Sequence, residues 1–318
     1  MTASETAGAR PGTSERLSLI IATADRPQAL AETLRGLVGC ELPVPELHVV
    51  VADNGSDPGT RAVCDETFPG LRVEHLPVSE RGKTVALNRA ARACDSDLIS
   101  FTDDDVEFHP KWLVELLDAT RAWPRHLLFG GRVLPLWPAD CPARLVGSTF
   151  LGPLYTRLDW GDDGGPRERF RPFGPNMMVR REVFERGVRF DEAIGPGAAS
   201  GIPMGDEVDF ALQLEAMGEM AVYVPSSEVY HLVRKDQLKL VWQLKRGFMY
   251  GRSWAYKDGG PHDSAPRWFG VPRWLYRKAA GDLVAASREA LRGERSRAFD
   301  RLMAIAVDAG KHLEANRT

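Results

Sequence analysis

Residues 101–110, FTDDDVEFHP, carry three consecutive aspartates directly behind an apolar run. Like charges on neighbouring residues repel, so Asp103, Asp104 and Asp105 call for a positive partner. The same run also reads as a solvated cap on a helix beginning near Pro110. A second acidic cluster, GDEVD at 205–209, opens a stretch of helical periodicity that ends at Gly218. Carboxylates in a first helical turn complement the positive end of the helix dipole, and a glycine is the usual stop. The segment EVYHLVR (228–234) adds His231 and Arg234 behind an apolar run. A lone histidine is more often structural than a ligand, although a neutral imidazole can also bind metal.

These residues need elements to hold them. LSLIIATADRP (17–27) is an apolar run stopped by a turn and predicts a buried strand. PQALAETLRGLVGC follows with helical spacing and Pro27 near its start. LHVVVADNGSD (47–57) repeats the strand-then-turn pattern, LRVEHLPV (71–78) predicts a third strand, and SDLISFTDDD (96–105) a fourth. Helices are predicted over 82–94 and 110–120. Alternation of this kind argues for a mainly parallel sheet covered on both faces, with ligands at the carboxyl ends of its strands. Three strands end in polar tails, TADR, ADNGSD and TDDD, which favours a ligand site over simple capping. Beyond about residue 136 the pattern breaks into Pro-, Gly- and charge-rich loops, then a strand and short helix over 176–195. A helix is predicted over 205–218, two short strands over 220–234, and two or three helices over 235–318 with a Gly/Pro-rich break at 258–272.

The chain has 318 residues, 43% of them hydrophobic, enough for one sizeable core or a domain with an appendage. A net charge of −3 gives no bulk attraction to nucleic acid. Cys40, Cys64, Cys94 and Cys141 are scattered without a CxxC pair, as buried thiols of a reduced protein would be. No apolar run approaches the roughly 18 residues of a membrane span, and the start lacks a signal-peptide pattern. A cytoplasmic location is expected.

Taken in order, IIATADRP, VVADNGSD, LNRAARACDSDLISFTDDDVEFHPKWL and GDEVDFALQLEAMG resemble the family 2 glycosyltransferases, GT-A-fold enzymes that use nucleotide sugars. The resemblance covers roughly residues 17–234. It implies an α/β fold of GT-A type, a Rossmann-like, mainly parallel twisted sheet flanked by helices, with a C-terminal helical extension. Residues 1–16 are then a disordered tail, and 17–234 the catalytic domain. Within it, 17–135 form the nucleotide-sugar half and 136–234 the acceptor half, and 235–318 form the helical region. The implied reaction is an inverting, metal-dependent transfer of a sugar from a nucleotide-diphosphate sugar to an acceptor hydroxyl. A nucleotidyltransferase is the enzymatic rival, but TADRPQAL lacks the Gly-rich basic phosphate loop expected of one. A binding homologue that has lost catalysis is the other.

Under the resemblance, TDDD stands for the family's DxD-like motif. Asp105, together with Asp103, would hold Mn or Mg, and Asp104 would face the ribose or the metal's waters. Hard oxygen ligands suit either ion. His231 would be a third ligand, and Arg234 would grip the diphosphate with its planar fork. Asp53 matches the aspartate that accepts from the base; the N–H of uracil suits it, which points to a UDP-type donor. Thr23 and Arg26 fall where the first strand meets base and diphosphate, and Lys83 or Arg81 would contact base or phosphates. Ala24 stands where the family often has an aromatic residue, which removes a stacking surface. GDEVD is a swapped form of the family's GEDxD. Without a gap, Glu207 takes the position of the base, with Asp206 as the alternative. Asp209 is expected to cap the helix or pair with an arginine. In GPNMMVRR (174–181), Asn176 is a candidate contact to sugar or acceptor, with Met177 and Met178 in the core. Asn88 reads equally as a helix-packing hydrogen-bonder.

Residues 232–278 hold eleven Lys or Arg against three Asp, a net of +8, with Trp242, Trp254, Trp268 and Trp274 interleaved. That mixture suits an anionic membrane surface at the inner face or an anionic or lipid-linked acceptor. It also suits two helices that bury their tryptophans and expose their lysines. The acceptors considered are a glycan, a lipid-linked sugar or a small molecule, and nucleic acid is not expected as a partner.

Overall fold

The computed structural model describes residues 15–258 and 266–317. Most of the expected tail (1–14) and part of the Gly/Pro-rich break (259–265) lie outside the described residues. The first half alternates as the sequence predicts. The elements are β1 (Leu17–Thr23), α1 (Pro27–Val38), β2 (Leu47–Asp53), α2 (Pro58–Cys64), β3 (Leu71–Pro77), α3 (Lys83–Ala93) and β4 (Leu98–Asp103). Strands β3, β2, β1 and β4 lie side by side in parallel. Helices cover both faces, so these strands are near-continuous apolar runs, with Leu19, Ile20 and Ile21 all fully buried. The register sets Thr23 beside Asp53 and Ala22 beside Asp103, which gathers the polar strand ends at one edge.

The second half continues the same sheet. It comprises β5 (Val106–Phe108), α4 (Trp112–Ala122), β6 (Leu128–Leu136), α5 (Leu151–Tyr155), β7 (Gly165–Arg167), β8 (Met177–Arg180), α6 (Glu182–Glu185), α7 (Asp206–Ala216) and β9 (Ala221–Leu232). The order across the sheet is β3-β2-β1-β4-β8-β6-β9-β5, with β7 also on β9. β8 is antiparallel to both neighbours, whereas β9 is parallel to β6. Strand β6 escapes the sequence pattern because two glycines interrupt its apolar run. A Cβ on Gly131 would lie 2.1 Å from the Ser227 carbonyl oxygen, and one on Gly130 would lie 2.2 Å from Pro172. Close approach of neighbouring backbone therefore demands glycine in the middle of this strand. Only one strand, not two, spans 220–234. The segment Pro225–Ser227 forms an irregularity across which pairing to β6 jumps from Val224 to Glu228, and the strand then resumes.

Three helices follow. α8 (Leu240–Asp258) precedes a two-stranded ribbon of β10 (Arg267–Trp268) and β11 (Val271–Pro272), then α9 (Arg273–Leu291) and α10 (Arg295–Ala315). α8 and α10 form the most extensive helix pair of the molecule. Gly251 and Gly310 allow it: a Cβ on either would lie 2.0 Å from a carbonyl oxygen of the facing helix. A small second core of Leu145, Leu154, Tyr155, Val233, Phe299 and Met303 seats this pair on the loops after β6. Among the described residues no helix is long and apolar enough to cross a membrane.

Candidate active site

The aspartate run straddles the end of β4, where successive side chains point to opposite sides. Asp104 turns inward and is buried. One of its oxygens accepts from the Thr23 hydroxyl at 2.6 Å and the other lies 3.0 Å from the Arg26 guanidinium. Burial pushes its carboxyl up to about 6, against the pull of Arg26 and Thr23. Asp103 and Asp105 turn the other way. The second arm of Arg26 reaches Asp105 at 2.6 Å. Lys83, in the first turn of α3, donates to Asp103 at 2.8 Å. Burial opposes ionisation of Asp103, but the Lys83 ammonium, with His231 and Arg26, outweighs it and holds the carboxyl below its usual range.

Pairing of β5 with β9 sets His231 opposite Val106, next to the aspartates. Its Nε2 lies 3.4 Å from Asp105, and Arg234 stands 3.8 Å from the same carboxylate. Donor atoms of Asp103, Asp105 and His231 all lie within 4.8 Å of one another. Two carboxylates and an imidazole are a donor set that fits Mn or Mg. Asp104, committed to Thr23 and Arg26, is not part of that cluster.

The helix α7 brings the second acidic group. Gly205 precedes it in the left-handed region (φ 101°), so the chain turns sharply into the helix. Asp206 and Glu207 then diverge. Glu207 is half-buried and its Oε1 lies 3.3 Å from the Lys83 ammonium, which thus bridges Asp103 and Glu207. The wall behind it is Gly174, where a Cβ would come within 2.6 Å of Oε1. Asp206 is 2% exposed, and its Oδ2 has no hydrogen-bond partner. Burial first, and then the adjacent Glu207 charge, raise its carboxyl well above the ordinary value in spite of Lys83. Burial works against charge on Lys83 too, yet Asp103, Glu207 and Asp206 hold its ammonium well above the usual range. Asp209 does pair with a cation, but a lysine: Lys257 of α8 at 2.8 Å.

Not every expected residue enters the cleft. Asp53 is buried behind it, accepting from the Gly55 N–H at 3.0 Å and lying 2.9 Å from His75 Nε2. Asn176 is fully buried; its amide serves the carbonyls of Arg132 and Ser227, and its oxygen accepts from the Ser227 hydroxyl. It braces β6 against β9 and makes no contact with the cleft. Asn88 proves to be the packing residue, exchanging bonds with the backbone of Phe190. Met177 and Met178 lie in the core.

Two positioning residues escaped the sequence reading. Asp25, with φ 54°, accepts from the backbone N–H groups of Ser56 and Asp57 and ties the turn after β1 to that after β2. Asn54 accepts from the Gly82 N–H at 2.7 Å and so fixes the start of α3, and with it Lys83. The face of α8 was read in part: Trp242 and Trp254 were named, Arg246 and Tyr250 were not. Trp242, Arg246, Tyr250 and Trp254, four residues apart, all line the cleft. The spacing that marks one helical face was legible, but nothing in it says which face meets the site.

The cleft holds about 1020 Å³, room at the upper end of ligand pockets. Residues 18–187 match the profile described as Glycosyl transferase family 2. The succinoglycan biosynthesis protein ExoM of Rhizobium meliloti is 26% identical over 255 residues, 76% of this chain and 75% of that protein. An N-acetylglucosaminyl-diphospho-decaprenol L-rhamnosyltransferase of Mycobacterium tuberculosis is 29% identical over 214 residues, 58% of this chain and 66% of its own. Among solved structures, the mannosyltransferase PcManGT from Pyrobaculum calidifontis, in complex with GDP-Man and Mn2+, superposes with a TM-score of 0.62. It is 20% identical, over 94% of this chain and 87% of that one, a likeness of fold.

Proposed function

The chain belongs to glycosyl transferase family 2 and is a glycosyltransferase that takes its sugar from a nucleotide sugar; from that premise we propose that it acts with inversion on a hydroxyl of a glycan or lipid-linked acceptor. One observation carries this reading. A single ammonium, Lys83, contacts Asp103 of the aspartate cluster and Glu207 of the helix start, at 2.8 and 3.3 Å. A leaving diphosphate at the first and an acceptor hydroxyl at the second are then within one sugar of each other, as displacement at an anomeric carbon requires.

Glu207 is the general base: it lines the cleft, and its carboxylate, steadied at Oε1 by Lys83, takes the proton of the acceptor hydroxyl. Asp206, whose carboxyl burial holds well above its ordinary value, shapes the helix start. Asp103, Asp105 and His231 would hold Mn or Mg, which as a Lewis acid offsets charge on the leaving diphosphate. Arg26 and Arg234 add fixed positive charge on the same side. ExoM is a succinoglycan biosynthesis protein and the Mycobacterium tuberculosis relative an N-acetylglucosaminyl-diphospho-decaprenol L-rhamnosyltransferase, which supports such an acceptor class.

The test is release of nucleoside diphosphate from a panel of UDP-, GDP- and dTDP-sugars with Mn present. Turnover of at least one donor that disappears with chelator is expected. Absence of metal-dependent binding for every nucleoside diphosphate would sink the reading.

A further inference from the structure

Six residues of α8 line the cleft, and four of them stand at intervals of four residues: Trp242, Arg246, Tyr250 and Trp254. Each step advances about 6 Å along the helix, so the row extends about 18 Å. Three are aromatic and one is cationic. Most other half-buried cations of the cleft already have a carboxylate: Arg26 has Asp104 and Asp105, Lys83 has Asp103 and Glu207, and Lys257 has Asp209. Arg171 has Glu215. Arg246 has none within ion-pair distance among the described residues, and its hydrogen bond to the Pro153 carbonyl is long, at 3.4 Å. A half-buried guanidinium without a counter-charge is costly and awaits an anion.

Its position says which substrate brings that anion. Arg246 lines the cleft with Asp206 and Glu207, and its helix is tied to theirs by the Lys257–Asp209 pair at 2.8 Å. Burial weakens its hold on the proton, Glu207 and Asp206 strengthen it, and Arg234 adds a like charge. Arg246 thus faces the side of the cleft where the acceptor hydroxyl meets its base. The donor diphosphate is already served by Arg26 and Arg234. Trp242 is stacked on Tyr155 and Trp254 carries the Lys311 ammonium 3.7 Å from its ring centre, so contact with the apolar face of a sugar falls to Tyr250 and to the ring faces those partners leave.

We infer that this face of α8 is an acceptor subsite for a saccharide bearing a negative charge close to the sugar that receives the transfer. The inference rests on the glycosyl-transfer reading and adds the charge of the acceptor to it. A uronate carboxylate and a glycosyl phosphate both present two oxygens to the planar guanidinium fork, so either meets the chemistry.

The experiment is an array of matched oligosaccharides in three forms: neutral, uronate-bearing and glycosyl-phosphate-bearing. It is probed with wild-type protein, Arg246→Gln and Arg246→Lys, with and without Mn plus UDP or GDP. Wild type should retain one charged form roughly 10- to 100-fold better than its neutral counterpart, the range of one charge-assisted contact. The form retained identifies the source of the charge. Arg246→Gln should lose the preference while its affinity for Mn-nucleotide is unchanged, and Arg246→Lys should keep part of it. Equal retention of neutral and charged forms by wild type overturns the inference, with no variant needed. A preference left intact in Arg246→Gln also overturns it. Failure of Mn-nucleotide binding in wild type strikes the transfer reading instead and is scored separately.

Discussion

Two adjacent carboxyls, Asp206 and Glu207, are given different chemistry by a rotation of one helical residue. Glu207→Gln keeps size and hydrogen bonding but cannot take a proton. It should lower turnover by roughly 10²- to 10⁴-fold with donor affinity little changed, measured as nucleoside diphosphate release under donor saturation. Asp206→Asn should cost far less; an inactive Asp206→Asn beside an active Glu207→Gln would exchange their roles. Asp206 also makes a prediction about stability. Its folded-state carboxyl is raised above the unfolded value, chiefly by burial. The folded protein therefore binds a proton that the unfolded chain releases, and stability at this position declines as pH rises above about 4. Asp206→Asn should melt higher than wild type at pH 7 to 8, and the two melting curves should converge near pH 4. A gap that instead widens toward acid would mean that the carboxyl is ionised in the folded protein.

Elements decide where these side chains meet. β4 presents the aspartates, the β5–β9 pairing delivers His231, α3 supplies Lys83, and α7 supplies Glu207. The strand ends and the α7 start were legible because apolar runs and a glycine stop mark them in any context. Partnerships were legible only through the family resemblance, which joined His231 to Asp103 and Asp105; the residues alone did not show them. His231 reaches Asp105 only because β9 carries on past the break at Pro225, which looked like an end. Asp53 was implied as a contact to the base by the family resemblance, and in the structure its carboxylate has a neighbour the sequence did not announce. The residue that claims it, His75, lies on the neighbouring strand, and pairing between strands is not written in either segment. At this scale Gly251→Ala is informative. Its methyl would meet the Val307 carbonyl at 2.0 Å, so α8 must lift from α10. Overpacking of this kind costs about 1–3 kcal/mol. A lower melting temperature is expected, together with an acceptor KM raised more than the donor KM. An unchanged acceptor KM would separate α8 from the acceptor.

For the whole molecule, the net charge of −3 hides a basic C-terminal region. The described part of that region exposes Trp268, Phe269, Trp274 and Tyr276 on and beside the β10–β11 ribbon. The Arg273 guanidinium stands 4.4 Å above the Trp268 ring. Trp242, by contrast, is packed against Tyr155, so the tryptophans serve two different surfaces. Aromatic and basic side chains together suit the headgroup level of an anionic bilayer. The protein should sediment with phosphatidylserine-containing vesicles at low salt and be released at high salt. Paired Trp268→Ala and Phe269→Ala changes should weaken this at least about tenfold, each losing buried apolar area. No sedimentation at low salt would leave these aromatics without a membrane role.

The interlock of α8 with α10 has a consequence for biosynthesis. A chain emerges from the ribosome amino end first, and its elements fold in the order they appear. The sheet that carries Asp103, Asp105 and His231 needs nothing later than β9. α8, which walls the acceptor side, presses Gly251 against Val307 and pairs its buried Arg252 with Glu314 at 2.7 Å. Until α10 arrives, that guanidinium has no counter-charge and the wall has no backing. On the proposed reading of the cleft, the strand ends assigned to the donor are therefore synthesised complete before the helix assigned to the acceptor has its backing, and the two sides mature at different times.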